Sequence, residues 1–214
     1  AYTFLMYHQF CLGEMDIALE SRQRSARASR EAGDLRTWGC LTTWTVRLLA
    51  YVGDFPRALE YSLESIRIGQ EGADRQIVGW GLVTQGFAEQ RRGHLDEACT
   101  YLQQAIELLD AIPDYLVGVE ARAELGRCYL RQGQVTQALA ILEESESLRA
   151  KRQTRGVNCT ASRNGLAEAY LVAAEQAGQQ EKSEWLQKAG RACGAALKQG
   201  KIFRPGLPEA MRLQ

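Results

Sequence analysis

Apolar residues recur along the chain with the spacing of an amphipathic helix. The clearest run consists of Leu95, Ala98, Cys99, Leu102, Ala105, Ile106 and Leu109. These positions follow the i, i+3, i+4, i+7 pattern that places side chains on one helical face. Related runs start at Phe55 and Val135, and the sequence has only 4 prolines. The pattern predicts an all-α protein.

The helical pattern repeats every 40 residues. One column of the repeat contains Gly13, Gly53, Gly93 and Gly133, and a second contains Ala18, Ala58, Ala98 and Ala138. A third, apolar column contains Leu19, Leu59, Cys99 and Leu139. Columns that stay in register over successive repeats indicate a protein built from one repeated supersecondary unit.

Each repeat is predicted to be a pair of helices. Asp34, Asp74 and Asp114 form a column whose carboxylates suit the N-cap position. First helices are therefore expected over about residues 34–52, 74–92 and 114–132. The glycine column should end them, because glycine tolerates the left-handed conformation of a helix terminus.

Small residues are expected where the two helices of a pair meet. Gly86 precedes the turn glycine of its repeat by seven residues, and Ala98 follows it by five. Gly126 and Ala138 repeat this arrangement. Such pairs should face each other across the hairpin and let the two backbones approach closely.

The best-preserved stretch resembles the tetratricopeptide repeat. It runs Leu125-Gly126-Arg127-Cys128-Tyr129-Leu130-Arg131-Gln132-Gly133 and continues to Ala138 and Leu142. The resemblance implies a right-handed α-α superhelix, a solenoid of about five helical hairpins. Repeats of 40 rather than about 34 residues look like those of large bacterial signalling proteins, where they follow a nucleotide-binding ATPase module.

The repeat divides the sequence into a solenoid over residues 1–200 and a remainder over residues 201–214. Repeat boundaries are expected near 1–33, 34–73, 74–113, 114–154 and 155–200. The fifth repeat departs from the 40-residue spacing. Its first helix is predicted to be about one turn longer than the others and to end near Ala177. Gly178 is then its expected turn glycine. Residues 201–214 should be a linker and the start of a truncated further repeat. Ends without polar caps lead us to expect a fragment of a longer array.

Composition narrows the chemistry. The sequence has 26 Lys and Arg against 26 Asp and Glu, so it lacks the basic excess typical of nucleic-acid or membrane-surface binding. Arg149, Lys151, Arg152 and Arg155 form a local basic stretch, for which a solvated connector is favoured over nucleic-acid contact. With two histidines and no phosphate-binding loop, we expect no catalytic residues, metal or cofactor. The 6 cysteines are expected to be free thiols of a cytoplasmic protein.

Candidate binding residues follow from the resemblance. In the tetratricopeptide family, ligand contacts come from first-helix positions that face a concave groove. The matching positions here are Tyr7, Phe10, Thr43, Arg47, Tyr51, Trp80, Val83, Phe87, Gln90, Arg91, Glu120, Arg127, Arg131, Asn164 and Glu168. Among them, Arg47, Arg91, Arg127 and Arg131 would form a basic ladder beside aromatic rings. The alternative is that Trp80 and Phe87 pack between neighbouring repeats.

These residues support two hypotheses. The first is a non-catalytic protein-interaction or sensor module that binds a peptide, an acidic segment or another domain of its parent protein in the groove. The alternative is a small-molecule effector-sensing domain of a regulatory ATPase or transcriptional regulator. Self-association through exposed apolar ends is a further expectation, since terminal hairpins of a solenoid present apolar faces. No nucleic-acid or membrane partner is expected.

Overall fold

The computed structural model describes residues 2–214 and is helical throughout, with no strand in that range. Its helices are α1 (Tyr2–Leu12), α2 (Met15–Ala32), α3 (Leu35–Tyr51), α4 (Phe55–Glu71), α5 (Arg75–Arg92), α6 (Leu95–Ala111), α7 (Tyr115–Arg131), α8 (Val135–Arg152), α9 (Thr160–Gln176), α10 (Gln179–Gly200) and α11 (Leu207–Arg212). Short 3₁₀ turns precede α9 and α11, at Val157–Cys159 and Arg204–Gly206. The predicted all-α class is confirmed.

The protein divides into two compact units, and each is built from antiparallel helix pairs. The N-terminal unit ends at Asp114 and contains the hairpins α1–α2, α3–α4 and α5–α6. Its first helices lie side by side in the order α1, α3, α5, and α2 and α4 contact the first helix of the following hairpin. The C-terminal unit begins at Tyr115 and contains α7–α8, α9–α10 and α11.

The turns within the first four helix pairs use the predicted glycine column. Gly13, Gly53, Gly93 and Gly133 have φ values of 81°, 84°, 90° and 76°. Side chains rarely tolerate this left-handed region, so glycine is required to end the first helix and reverse the backbone. The four tight turns therefore follow directly from the sequence repeat.

Asp34 and Asp74 cap the first helices α3 and α5, as predicted. Asp34 Oδ1 accepts a hydrogen bond from the Thr37 amide at 2.9 Å, and Asp74 Oδ1 accepts one from the Ile77 amide at 3.2 Å. Hydrogen bonds from Thr37 hold the pKa of the Asp34 carboxyl below its usual value. Asp54 caps the second helix α4 in the same way, through the Arg57 amide at 3.3 Å, which the repeat pattern did not reveal.

The capping aspartates also join successive hairpins of the N-terminal unit. The Arg36 guanidinium donates to the Asp74 carboxylate, 38 residues later. Gln76 Nε2 donates to Asp114 Oδ2 at 2.8 Å, again 38 residues later. Arg36 and Gln76 occupy the same column of the repeat, so one register position supplies the link each time. The exposed Arg36–Asp74 ion pair contributes about 0–1 kcal/mol.

The hairpins α5–α6 and α7–α8 close where a glycine of the first helix meets a leucine of the second. A Cβ built on Gly126 would lie 2.5 Å from Leu142 Cγ, and one on Gly86 would lie 2.6 Å from Leu102 Cγ. The Ala98 carbonyl oxygen would be 3.2 Å from the Gly86 Cβ, so the predicted approach of Gly86 to Ala98 is confirmed. Leu142 packs beneath Gly126 in a core cluster with Ala138 and Leu166.

The fifth repeat differs from its prediction. Its first helix, α9, has 17 residues, the same length as α7, so the expected extra turn is wrong. The added residues lie in the connection before α9, where Gln153 and Gly156 have φ values of 53° and 116°. Gly178 has a φ of −67° and takes an extended conformation, so it is not the left-handed turn glycine that we expected.

The contact that closes the hairpin predicts opposite effects for two glycine substitutions. Gly126→Ala should lower the free energy of unfolding by about 1–3 kcal/mol, because the methyl group overpacks against Leu142. Gly190→Ala is the matched control, since Gly190 lies in α10 and a Cβ added there would have no atom within 4 Å. It should raise stability by about 0.5–1 kcal/mol through helix propensity.

Urea unfolding followed by circular dichroism measures both variants. Equal stability of the two variants would contradict a close helix approach at Gly126.

Candidate functional site

The candidate residues fall into both units, and many of those in the N-terminal unit are buried. Thr43 Oγ1 donates to the Gly39 carbonyl at 2.9 Å and lies 3.1 Å from Ser65 Oγ, inside the α3–α4 hairpin. Val83 and Gln90 are fully buried in α5. Thr43, Val83 and Gln90 belong to the packing of the unit and are not accessible to a ligand in this structure.

Three aromatic candidates form a row across the first helices of the N-terminal unit. The Phe10 and Tyr51 rings meet edge to face with centroids 5.5 Å apart, and the Tyr51 and Phe87 centroids are 6.0 Å apart. Phe10 is 1% and Phe87 5% exposed, whereas Tyr51 is half-buried. Phe87 thus packs in the core with Val46 and Ala58, as the alternative interpretation of this residue proposed.

Arg91 lies over the outer end of this row. Its guanidinium carbon is 5.0 Å from the Phe87 ring centroid and 5.7 Å from that of Tyr51. Its Nε atom is buried without a hydrogen-bond partner, and no carboxylate within residues 2–214 forms an ion pair with it. We call Tyr51, Phe87 and Arg91 the Arg91 cluster. It presents a half-buried cation on two aromatic faces.

A second aromatic cluster is centred on Trp44, which both Tyr7 and Arg47 contact. Tyr7 meets Trp44 edge to face at 4.6 Å between centroids, and the Arg47 guanidinium carbon lies 4.8 Å from the Trp44 centroid. Arg47 is buried, and its Nη1 donates to the Thr43 carbonyl at 3.4 Å. Sequence reasoning missed Trp44, although it shares a 40-residue column with the exposed aromatic Phe4.

Trp80 binds an aspartate at the end of its own unit. Its indole Nε1 donates to Asp114 Oδ2 at 2.8 Å, and the Arg36 guanidinium carbon lies 5.9 Å from its ring. These partners fix the ring near the start of α5. Trp80 therefore packs between successive repeats, the alternative that the sequence had left open.

In the C-terminal unit, three of the five candidates contact residues 206–212. The Arg127 guanidinium pairs with the Glu209 carboxylate, and Asn164 Nδ2 donates to Glu209 Oε2 at 3.0 Å. Arg212 Nη2 donates to Glu168 Oε1 at 3.2 Å. Sequence reasoning missed both partners, Glu209 and Arg212, because it treated residues 201–214 as a linker and a partial repeat.

The two remaining candidates of the C-terminal unit are Glu120 and Arg131. Glu120 is buried and accepts a hydrogen bond from Asn158 Nδ2, in the turn before α9. Arg131 is exposed near the end of α7. Of the expected basic ladder, Arg47 and Arg127 are buried, so only Arg91 and Arg131 present accessible guanidinium groups.

The described residues offer few reactive groups. No cluster of three or more His, Cys, Asp or Glu side chains within residues 2–214 is arranged to hold a metal ion. His94 Nδ1 lies 2.9 Å from Glu89 Oε2 on the surface. Arg149 of the basic stretch pairs with Glu146, and the Arg152 guanidinium carbon lies 3.8 Å from the Tyr115 ring centroid.

No helix among residues 2–214 has both the length and the apolar composition needed to cross a bilayer.

Comparison with known proteins identifies the class of fold. Residues 78–151 match the family model described as tetratricopeptide repeat. No curated protein sequence matches this one significantly. The sequence-based resemblance to the tetratricopeptide repeat is thereby confirmed.

Solved structures with the same fold include three informative neighbours. A Rap protein complexed with Competence and Sporulation Factor is similar with a TM-score of 0.75 and 11% identity, over 95% of this protein and 54% of that one. A signal transduction ATPase with numerous domains and a tetratricopeptide repeat sensor, from Pyrococcus horikoshii, gives 0.60 and 16%, over 99% of this protein and 31% of the ATPase. A putative kinesin light chain from Podosopora anserina with nearly identical TPR-like repeats gives 0.59 and 20%, over 89% and 92%.

The sequence thus spans about half the length of the Rap protein and about a third of the ATPase. At identities this low, the comparison shows the fold alone, a stack of helix pairs of the tetratricopeptide type.

The cysteines give a prediction about reactivity. Burial raises the pKa of the thiols of Cys11, Cys40, Cys159 and Cys193. The thiolate is the reactive form, so at pH 8 the native protein should react slowly with an aromatic disulfide reagent, and the urea-unfolded protein rapidly.

Cys40 is half-buried and the other five cysteines are buried, so Cys40→Ser should remove the fastest native phase. A rapidly reacting thiol that persists in this variant would reveal an activated cysteine and contradict the assignment.

Proposed function

We propose that the protein is a non-catalytic interaction module of a larger signalling protein, and that the Arg91 cluster binds a carboxylate of its partner. The partner is an acidic peptide, a free polypeptide C-terminus or an acidic segment of another domain. The observation that carries the proposal is the Arg91 guanidinium, which lies on two aromatic rings without a carboxylate partner among residues 2–214.

The chemistry of arginine supports a carboxylate as the partner. A guanidinium group offers paired donors that match the two oxygens of a carboxylate. The rings of Tyr51 and Phe87 orient the Arg91 group and lower the local dielectric, which strengthens a charged hydrogen bond. Arginine and tyrosine are also residue types that dominate binding energy at protein interfaces.

The structural neighbours are compatible with this proposal. One is a Rap protein in complex with Competence and Sporulation Factor, and another carries a tetratricopeptide repeat sensor. Both show this fold in a binding or sensing context. The six free cysteines suit a reducing compartment, and we therefore propose a cytoplasmic setting.

A small carboxylate-bearing effector is the second candidate ligand. The Arg91 cluster comprises one cation and two rings, which is enough to hold a single carboxylate group. A metabolite could therefore make the same contact as the end of a peptide. Calorimetric titration separates the two, because a peptide should gain affinity from neighbouring residues whereas a metabolite should bind equally well without them.

Charge reversal of Arg91 tests the proposal directly. Arg91→Glu should weaken binding of acidic peptides with a free C-terminal carboxylate at least tenfold, because one attractive charge becomes repulsive. The probes are peptides from a library that ends in Asp or Glu, each compared with its C-terminal amide. Isothermal titration calorimetry gives the affinities.

Arg75→Glu is the matched control. Arg75 is exposed at the start of the same helix and carries the same charge. It should bind like the wild type. Retained affinity in Arg91→Glu, or an equal loss in both variants, would overturn the assignment of Arg91 as the carboxylate anchor.

A further inference from the structure

The C-terminal segment, residues 201–214, makes a set of contacts that the proposed function does not use. Its helix α11 follows a 3₁₀ turn at Arg204–Gly206 and contacts α10. Ala210 and Leu213 are buried, and Leu213 packs with Ala167 and Cys193. The Cys193 thiol donates to the Leu213 carbonyl oxygen at 3.0 Å. The segment is therefore seated on the α9–α10 hairpin.

The Glu209 carboxylate is bound by two side-chain donors, one from α7 and one from α9. One of its oxygens accepts from the Arg127 guanidinium and the other accepts from Asn164 Nδ2 at 3.0 Å. Arg127 is 5% and Asn164 1% exposed, so both donors lie out of water. Hydrogen bonds between charged groups are shorter and stronger than neutral ones, and more so at low dielectric.

The same site contacts the backbone of the segment. Asn164 Nδ2 is also within 3.4 Å of the Gly206 carbonyl oxygen. A Cβ on Gly206 would lie 2.5 Å from Thr160 Cγ2, so only glycine lets the backbone approach α9 this closely. Asn164 Oδ1 and Thr160 Oγ1 are buried without hydrogen-bond partners among residues 2–214. These two oxygen atoms are hydrogen-bond acceptors that lie beside the C-terminal segment.

A second charged contact lies three residues further along α11. Arg212 donates to Glu168 of α9 at 3.2 Å, and the Arg212 side chain is exposed whereas that of Glu168 is partly buried. Residues i and i+3 lie on the same face of a helix, so Glu209 and Arg212 meet their partners simultaneously. The surface thus selects a short helix with an acid followed by a base three residues later.

Within the described residues, α11 is held by contacts with α9 and α10, through Glu209, Arg212 and Leu213. Release leaves α9 and α10 with their own hairpin contacts and core.

From these contacts we propose that the α7–α9 surface centred on Arg127, Asn164 and Glu168 is a docking site for a short helix with a Glu-x-x-Arg pattern. In this structure α11 is its internal ligand. A partner segment with the same pattern competes with α11, so partner binding and the seating of α11 exclude each other. This site is independent of the Arg91 cluster.

A labelled peptide with the sequence of residues 201–214 tests the proposal by fluorescence anisotropy. Glu209→Lys in the 214-residue protein places a cation against Arg127 and should unseat α11. We expect the peptide to bind this variant at least tenfold more tightly than the wild-type protein, whose site is filled. Glu175→Lys makes the same charge change at an exposed position of α9 and should bind like the wild type.

Two further measurements, with variant peptides and by hydrogen exchange, test the individual contacts. A peptide with Lys in place of Glu209 should not bind, and one with Arg212→Glu should bind weakly unless the protein carries Glu168→Arg. Hydrogen exchange of Glu209→Lys should increase in residues 207–213 and stay unchanged in α9 and α10.

Equal peptide affinity for the wild-type and Glu209→Lys proteins would overturn the proposal. Loss of protection throughout α9 and α10 would also overturn it, because α11 would then be an integral part of the fold. Binding that survives Arg91→Glu is expected and separates this site from the proposed function.

Discussion

The structure depends on the close approach of two helices at a glycine. In the hairpins α5–α6 and α7–α8, Gly86 faces Leu102 and Gly126 faces Leu142, with no room for a methyl group between them. This contact sets the spacing of the two helices, and the left-handed turn glycines at Gly93 and Gly133 make the reversal possible. The turn glycines recur every 40 residues from Gly13 to Gly133, and the first helices lie side by side within each unit. The candidate binding surfaces are a consequence of that alignment.

Two arginines of the first helices, Arg91 and Arg127, differ in the groups that surround their charge. Arg91 lies on the rings of Tyr51 and Phe87 and has no ion-pair partner among residues 2–214, so its charge can be satisfied by a ligand. Arg127, on the first helix of the following repeat, is buried against Glu209. A buried charge without a partner is costly, which explains why the seated segment supplies a carboxylate there. One arginine is therefore a candidate for external binding, and the other shows the chemistry of an internal ligand.

Local signals predicted the fold better than the site. The first helices expected at 34–52 and 74–92 occur at Leu35–Tyr51 and Arg75–Arg92, because caps and turn glycines are set by neighbouring residues. The register could not tell whether a first-helix side chain faces solvent, and Thr43 instead bonds to Ser65 inside its hairpin. Glu209 contacts Arg127 across 82 residues, a separation that no 40-residue period indicates. The predicted extra turn of α9 is absent because the added residues lie in the connection before α9, where Gly156 has a non-helical φ of 116°.

A double-mutant cycle between Gly126 and Leu142 tests the central constraint most directly. Coupling between the two substitutions reports whether they share one contact, because changes at independent sites add. If Gly126 is required to make room for Leu142, Gly126→Ala should destabilise the wild-type protein and be clearly less destabilising in a Leu142→Ala background, where Ile141 Cγ2, 2.9 Å from the added Cβ, is the remaining close neighbour. Urea unfolding of the four proteins gives the coupling free energy, which should exceed about 1 kcal/mol. Effects that simply add would show that the two helices do not meet at this contact, and would contradict the account of how the α7–α8 hairpin is closed.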